Sequence, residues 1–282
     1  MKVSLKSILS AAKAGRYAVG AFNCLSIEHA RGVIKAAEEQ HSPVILQIAE
    51  VQFPYAPMEL MAPVFLHLAE SASVPVCVHL DHGLSFETCA KAVQLGFSSV
   101  MIDSSCLPFE ENMEEARKVV RMAGDAGVDV EAELGHVGDA GTADEGNISE
   151  DVFTRVQDAV EYIDRTGIDA LAIAIGNLHG KYIATPKLNI GRLKEISAAT
   201  PTPLVLHGGS GTSEEDFKAC VHNGICKINV ATSLQIAVTD AVTKYLKLSP
   251  NPNYIDLKGV IEDATARAAF YHMDLFESVG KA

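Results

Sequence analysis

Eight short runs rich in Val, Ile and Ala recur along the chain, spaced widely enough for a helix between each pair. They are YAVGAF (17–22), PVILQI (43–48), PVCVHL (75–80), SSVMID (98–103), VDVEAEL (128–134), DALAIAI (169–175), PLVLHG (203–208) and ICKINV (225–230). A strand that is apolar on both faces belongs to a parallel sheet covered by helices, because neither face meets water. The intervals supply those helices: SIEHARGVIKAAEEQ after the first run and FEENMEEARKVVRMAG after the fourth repeat apolar residues at helical spacing. HSP, SVP, TPTP and the glycines of LGF, AGV, TGI and NGI precede the strands, where helices must stop. Eight such units in 282 residues predict an α/β fold: a single-domain (β/α)8 TIM barrel spanning residues 1–282, with an additional C-terminal helix. An open doubly wound sheet is the alternative that the same pattern permits.

Composition narrows the function classes. A net charge of −13 leaves no broad basic surface for nucleic acid. No run reaches the roughly 20 uncharged residues that a membrane span needs, and mean hydropathy is only +0.15. The apolar start is broken by Lys13 and Arg16 and reads as an amphipathic helix, not a signal segment. Six cysteines (24, 77, 89, 106, 220 and 226) show no CxxC spacing, and several fall in predicted strands. They are expected to be reduced thiols of a cytoplasmic protein. From Ser249 a turn-rich bridge, SPNPNYIDL, leads to the helix KGVIEDATARAAFYHMDLF, placed to cap the barrel or reach a neighbouring subunit.

Polar or ionisable residues end nearly every run. Asn23 follows the first; Asp81 and His82 end VHLDHG after the third; Asp103 and Ser105 follow the fourth. Glu133, His179, His207 and Asn229 stand at runs five to eight. In a barrel these ends converge on one mouth, where function resides. A single histidine at a strand end is usually an ordinary hydrogen-bonded residue. Three from three strand ends, His82, His179 and His207, each close to a glycine, make the donor set of a catalytic zinc site with an open position. His79 alternates with Asp81 and is expected to pack inside the barrel. HGGSG (207–211) and NVATS (229–233) place small residues and free amides ahead of helices, the usual phosphate cradle of such barrels. Two long loops, 135–151 and 176–189, lie on the same face, and the first reads as a lid.

Taken in order, AFN (21–23), HLDHG (79–83), VMIDSS (100–105), VEAELG (130–135), AIGNLHG (174–180), LVLHGGSG (204–211) and GICKINVAT (224–232) resemble the class II, zinc-dependent ketose-bisphosphate aldolases, including the tagatose-bisphosphate branch. The resemblance runs from about residue 15 to 235. It implies reversible cleavage of a ketose 1,6-bisphosphate, fructose or tagatose, to dihydroxyacetone phosphate and glyceraldehyde 3-phosphate. His82, His179 and His207 would then hold Zn2+ as a Lewis acid on the C2 carbonyl, and Asp81 would exchange the C4-hydroxyl proton. Glu133 would be an alternative ligand or orienter. Asn23, Gly180, Gly208, Gly209, Ser210, Asn229, Ala231 and Thr232 would bind the substrate hydroxyls and C1 phosphate, with Na+ or K+ held nearby. The family forms dimers or tetramers, so a homodimer or homotetramer is expected.

The chain also departs from the pattern it resembles. Gly138-Asp139-Ala140-Gly141 stands where relatives often have Gly-Gly followed by acidic residues, so Asp139, Asp144 and Glu145 are all candidates for the lid acid. Ala49 replaces a serine that contacts the distal phosphate, and Arg267 is the arginine available for that phosphate. An alternative is therefore the same chemistry on a ketose 1-phosphate lacking the distal phosphate, such as a sugar acid or a longer sugar. A sugar-phosphate-binding barrel is the non-enzymatic alternative. No lysine ends a strand, but Lys227 lies inside the eighth run and its role stays open.

Overall fold

A computed structural model describes residues 1–135, 153–177, 187–209 and 211–282. All eight runs are strands: β1 (Val19–Asn23), β2 (Val44–Ala49), β3 (Val76–Gly83), β4 (Ser99–Ile102), β5 (Asp129–Leu134), β6 (Ala170–Ile173), β7 (Leu204–Leu206) and β8 (Ile225–Val230). Each pairs in parallel with the next and β8 returns to β1, so the sheet is a closed barrel and not an open doubly wound one. The helices are α1 (Leu5–Gly15), α2 (Ile27–Gln40), α3 (Met58–Ser71), α4 (Phe86–Gln94), α5 (Phe109–Asp125), α6 (Val156–Thr166), α7 (Ile190–Ala199), α8 (Glu214–His222), α9 (Thr232–Leu248) and α10 (Tyr254–Leu275). Among the described residues none is long and apolar enough to cross a membrane. All six cysteines are free, and only Cys106 is exposed.

The barrel interior is layered by the two-residue period of its strands. The bottom layer is apolar, and α1 plugs it: Leu5, Ile8, Leu9 and Ala12 pack against Val19, Ala21, Ile45, Cys77, Ala170, Ala172, Val205 and Cys226. Ser4 caps this helix by accepting a hydrogen bond from the Ser7 amide, and Arg16 ends it in the left-handed region. Outside the strands, Phe22, Phe65, Phe97 and Tyr162 belong to the larger core under the helical ring. The middle layer of the interior is polar, which periodicity does not require.

Two elements differ from the sequence reading. The final helix begins at Tyr254, four residues before the expected start, because Asn253 caps it by accepting from the Asp256 amide. It packs along α2. Lys35–Asp263, Arg31–Glu262 and Lys258–Glu28 pair across this seam, and a Cβ on Gly32 would sit 2.5 Å from the Glu262 carbonyl. The second difference is β3, which continues through Asp81 and His82 to Gly83 with a register shift against β4.

Gly83 is thus a packing residue inside the strand. A Cβ there would fall 2.7 Å from the Met101 carbonyl and 2.9 Å from Leu80 Cδ2. Gly83→Ala is expected to destabilise the barrel by about 1–3 kcal/mol, as overpacking does. A thermal melt superimposable on the wild type would contradict the close approach.

Candidate functional site

The strand ends meet at the mouth as the barrel requires. His82 occupies it through strain: its φ of 42° is in the left-handed region, rare for a residue with a Cβ, and follows from the β3 bulge. Its Nδ1 lies 2.7 Å from Asp103 Oδ2. A carboxylate can only accept, so Nδ1 carries a proton, and Nε2 is the ring nitrogen left for other partners. Burial works against charge on both partners, but their mutual attraction wins. Asp103 is held below the usual carboxylate range; with Asp81 and Glu133 also nearby, His82 is raised to about 10.

Asp81 is gripped from two sides. Asn23 Nδ2 donates to its Oδ2 at 2.9 Å, and Asn229 Nδ2 donates to its Oδ1 at 2.8 Å. Gln47 Nε2 in turn donates to Asn23 Oδ1, fixing which end of that amide faces the aspartate. Burial would raise Asp81, yet the imidazoles of His82 and His207, Lys227 and the Asn23 amide bring it down to about 2. The result is an ionised, oriented carboxylate at the centre of the mouth.

One layer below, His207 Nε2 donates to Glu131 Oε1 at 2.9 Å while its Nδ1 lies 3.2 Å from Glu133 Oε2. Lys227 Nζ is 2.9 Å from Glu131 Oε2, with both residues fully buried. An ammonium bonded into a carboxylate beneath the mouth is not a free amine for a Schiff base. His79 is packed inside, as expected, with Nδ1 bonded to Ser99 Oγ at 2.8 Å. Burial, reinforced by Lys227, pushes it down to about 3.

These groups fit a metal. Donor atoms of Asp81, His82 and His207 lie within 4.8 Å of one another, as do those of His82, Asp103 and Glu133. That separation suits ligands sharing one ion at about 2.0–2.2 Å each. The His82 and His207 rings meet edge to face with centroids 4.6 Å apart. Surroundings that draw a proton so firmly onto His82 stabilise positive charge there, and a cation replacing that proton would meet the same carboxylates. Of the expected donor set, His179 lies outside the described residues, as do Gly180, Ser210, Asp139, Asp144 and Glu145.

The cradle is partly in view. Gly208 has a φ of 65°, and Gly209 O accepts from the Thr212 amide as the chain turns into α8. Ala231 precedes α9 and Thr232 opens it, so their amides face the helix N-terminus. Arg267 is on α10, lining a cavity of about 430 Å3 with Gly209, Gly211, Thr212, Ser233 and Tyr271.

Several supporting residues escaped the sequence reading. Asp103 was visible at a strand end without a task; Glu131 and Lys227 sit two residues before Glu133 and Asn229, the spacing that puts each pair on one strand face. Asn177 Nδ2 donates to the His207 carbonyl at 3.0 Å. Asn112, itself bonded to the Tyr162 hydroxyl, donates to the Glu133 carbonyl at 3.0 Å.

Comparison with known proteins agrees with this geometry. Residues 3–281 match the family described as fructose-bisphosphate aldolase class-II. A fructose-bisphosphate aldolase from Geobacillus stearothermophilus is 42% identical over 286 residues, covering 99% of this chain and 98% of that one. One from Staphylococcus epidermidis is 42% identical over 247 residues, 86% of each chain. The crystal structure of the YdjI aldolase from Escherichia coli K12 superimposes with a TM-score of 0.91 at 35% identity over the whole of both chains. The reading as an enzyme therefore stands over that of a binding barrel. The chain belongs to the class-II fructose-bisphosphate aldolases, a family of metal-dependent lyases acting on phosphosugars.

Proposed function

We propose that the protein catalyses zinc-dependent, reversible aldol cleavage of a ketose 1,6-bisphosphate, with fructose 1,6-bisphosphate first and the tagatose epimer second. The observation that carries this is the Asp81 carboxylate, clamped by Asn23 and Asn229 beside the imidazoles of His82 and His207. Three imidazoles, with His179 as the third, favour zinc over harder cations. Bound there, zinc would polarise the C2 carbonyl of the ketose as a Lewis acid. Asp81 accepts the C4-hydroxyl proton as the C3–C4 bond breaks and returns it in the condensation direction. Asp103 holds His82 in the tautomer that presents Nε2, and Glu133 orients the group at His207 Nδ1. Gly208, Gly209, Ala231 and Thr232, with Gly180 and Ser210, take the C1 phosphate on backbone amides, which suits an acidic protein. A monovalent cation, Na+ or K+, belongs beside that phosphate, and the lid acid is drawn from Asp139, Asp144 and Glu145.

A second reading keeps the chemistry but drops the distal phosphate. After β2 the chain presents buried Ala49 and then Glu50, whose Oε2 accepts from the Leu84 amide; neither residue supplies a side-chain donor. Arg267, on α10, lines a cavity with Gly209, Gly211 and Thr212, beside the loop assigned to the C1 phosphate. Comparing kcat/KM for fructose 1,6-bisphosphate and fructose 1-phosphate separates the two. The first reading expects the bisphosphate to lead by about 10–100-fold, the worth of one or two charge-assisted hydrogen bonds. Equal values, or a lead for the 1-phosphate, would select the second.

A further inference from the structure

The middle layer of the barrel holds a charge pair that the proposed proton transfer does not use. Lys227 Nζ reaches both Glu131 oxygens, at 2.9 and 3.1 Å, and the Oε1 atom also accepts from His207 Nε2 at 2.9 Å. Glu131, Lys227 and His207 are all fully buried. His79 Nε2 closes the group at 3.6 Å from Glu131 Oε2, with its other nitrogen on Ser99. A lone carboxylate at that depth would be costly, and the lysine offsets it. Two buried ions together are still no better for stability than apolar side chains of the same size. Their placement directly under a mouth imidazole points to a role other than stability.

We propose that Glu131 and Lys227 are a positioning pair for His207. Glu131 binds the Nε2–H and fixes the ring plane, so that Nδ1, which faces Glu133 at 3.2 Å, is the nitrogen left for a metal, while Lys227 keeps the carboxylate anionic and in place. A carboxylate on one ring nitrogen raises the basicity of the other, which strengthens the bond to a metal. Lys227 thereby acts on the metal site from within β8 without touching substrate. The inference rests on the reading of His207 as a metal ligand.

The test is the double variant Glu131→Gln/Lys227→Met. It removes both charges together, keeps side-chain length and leaves an amide oxygen to accept from His207. Thermal melting of the metal-free proteins, zinc affinity by competition with a chelating dye, and the visible spectrum of the cobalt(II)-substituted proteins are compared with the wild type. Expected are a folded variant, zinc binding weakened about 10–100-fold and shifted cobalt bands. A folded variant with wild-type zinc affinity and an unchanged cobalt spectrum overturns the proposal, because a purely structural pair would move only the melt.

Should the double variant not fold, Glu131→Asp keeps both charges but withdraws the carboxylate from His207, and the same outcomes decide. Nitrogen-15 NMR of the zinc-loaded wild type needs no variant. A proton on His207 Nε2 is expected, and a proton on Nδ1 overturns the proposal. A wild type that takes up no divalent metal would instead overturn the metal-centre reading, and this inference with it, so the two failures are distinguishable.

Discussion

Asp81→Ala is expected to lower kcat by about 10²–10⁴-fold, the usual worth of a placed general base, while the protein keeps its metal. The aspartate accepts from the Asn23 and Asn229 amides and stands beside His82, with its Oδ1 3.9 Å from Nε2. It is held ionised by the cations around it in spite of burial, so at neutral pH it is ready to take a proton. Its loss leaves the buried Asn23 amide and the half-buried Asn229 amide without their acceptor, which adds a modest stability cost. Asp81→Asn preserves the shape and removes the basicity, and so separates the two effects. Both variants should show a fall in kcat larger than any rise in KM, with wild-type zinc content by elemental analysis. Normal turnover by either would move the base elsewhere.

His82→Gly is expected to abolish tight metal binding and reduce activity to background. Glycine is the informative replacement because His82 sits at a φ of 42°, where glycine is unstrained and alanine is not. The variant loses the bond to Asp103 but relieves the left-handed strain. The two terms are each about 1–3 kcal/mol and opposed, so the metal-free melting temperature should change little. Zinc should stabilise the wild type by mass action and leave the variant unmoved. A variant that is still stabilised by zinc and still active would remove His82 from the ligand set.

The parts of the molecule that were legible in the sequence are those set by a strict period. Eight mostly apolar runs pointed to a parallel sheet, and α1 followed from its spaced apolar residues. The extension of β3 was hidden because His82 breaks the period that marks a strand, and the bulge depends on contacts with β4 that no local pattern encodes. The start of α10 was obscured by the turn residues Asn251-Pro252-Asn253, although Asn253 is itself the cap. In the site, ionisable residues at strand ends were conspicuous against apolar runs. The tasks of Glu131, Lys227 and Asp103 were not, since a polar side chain inside a strand acquires meaning only from neighbours on other strands. Glu131 meets Lys227 and His207 from 96 and 76 positions away.

Metal dependence of the aldol cleavage is the central claim, and one titration tests it most directly. The purified protein is stripped with chelator until elemental analysis finds no divalent metal, and fructose 1,6-bisphosphate cleavage is followed as zinc is returned. Activity is predicted to vanish with the metal and to recover in proportion to zinc bound, saturating at one ion per chain. Cleavage that persists in the fully stripped protein would contradict the metal centre proposed for His82, His179 and His207.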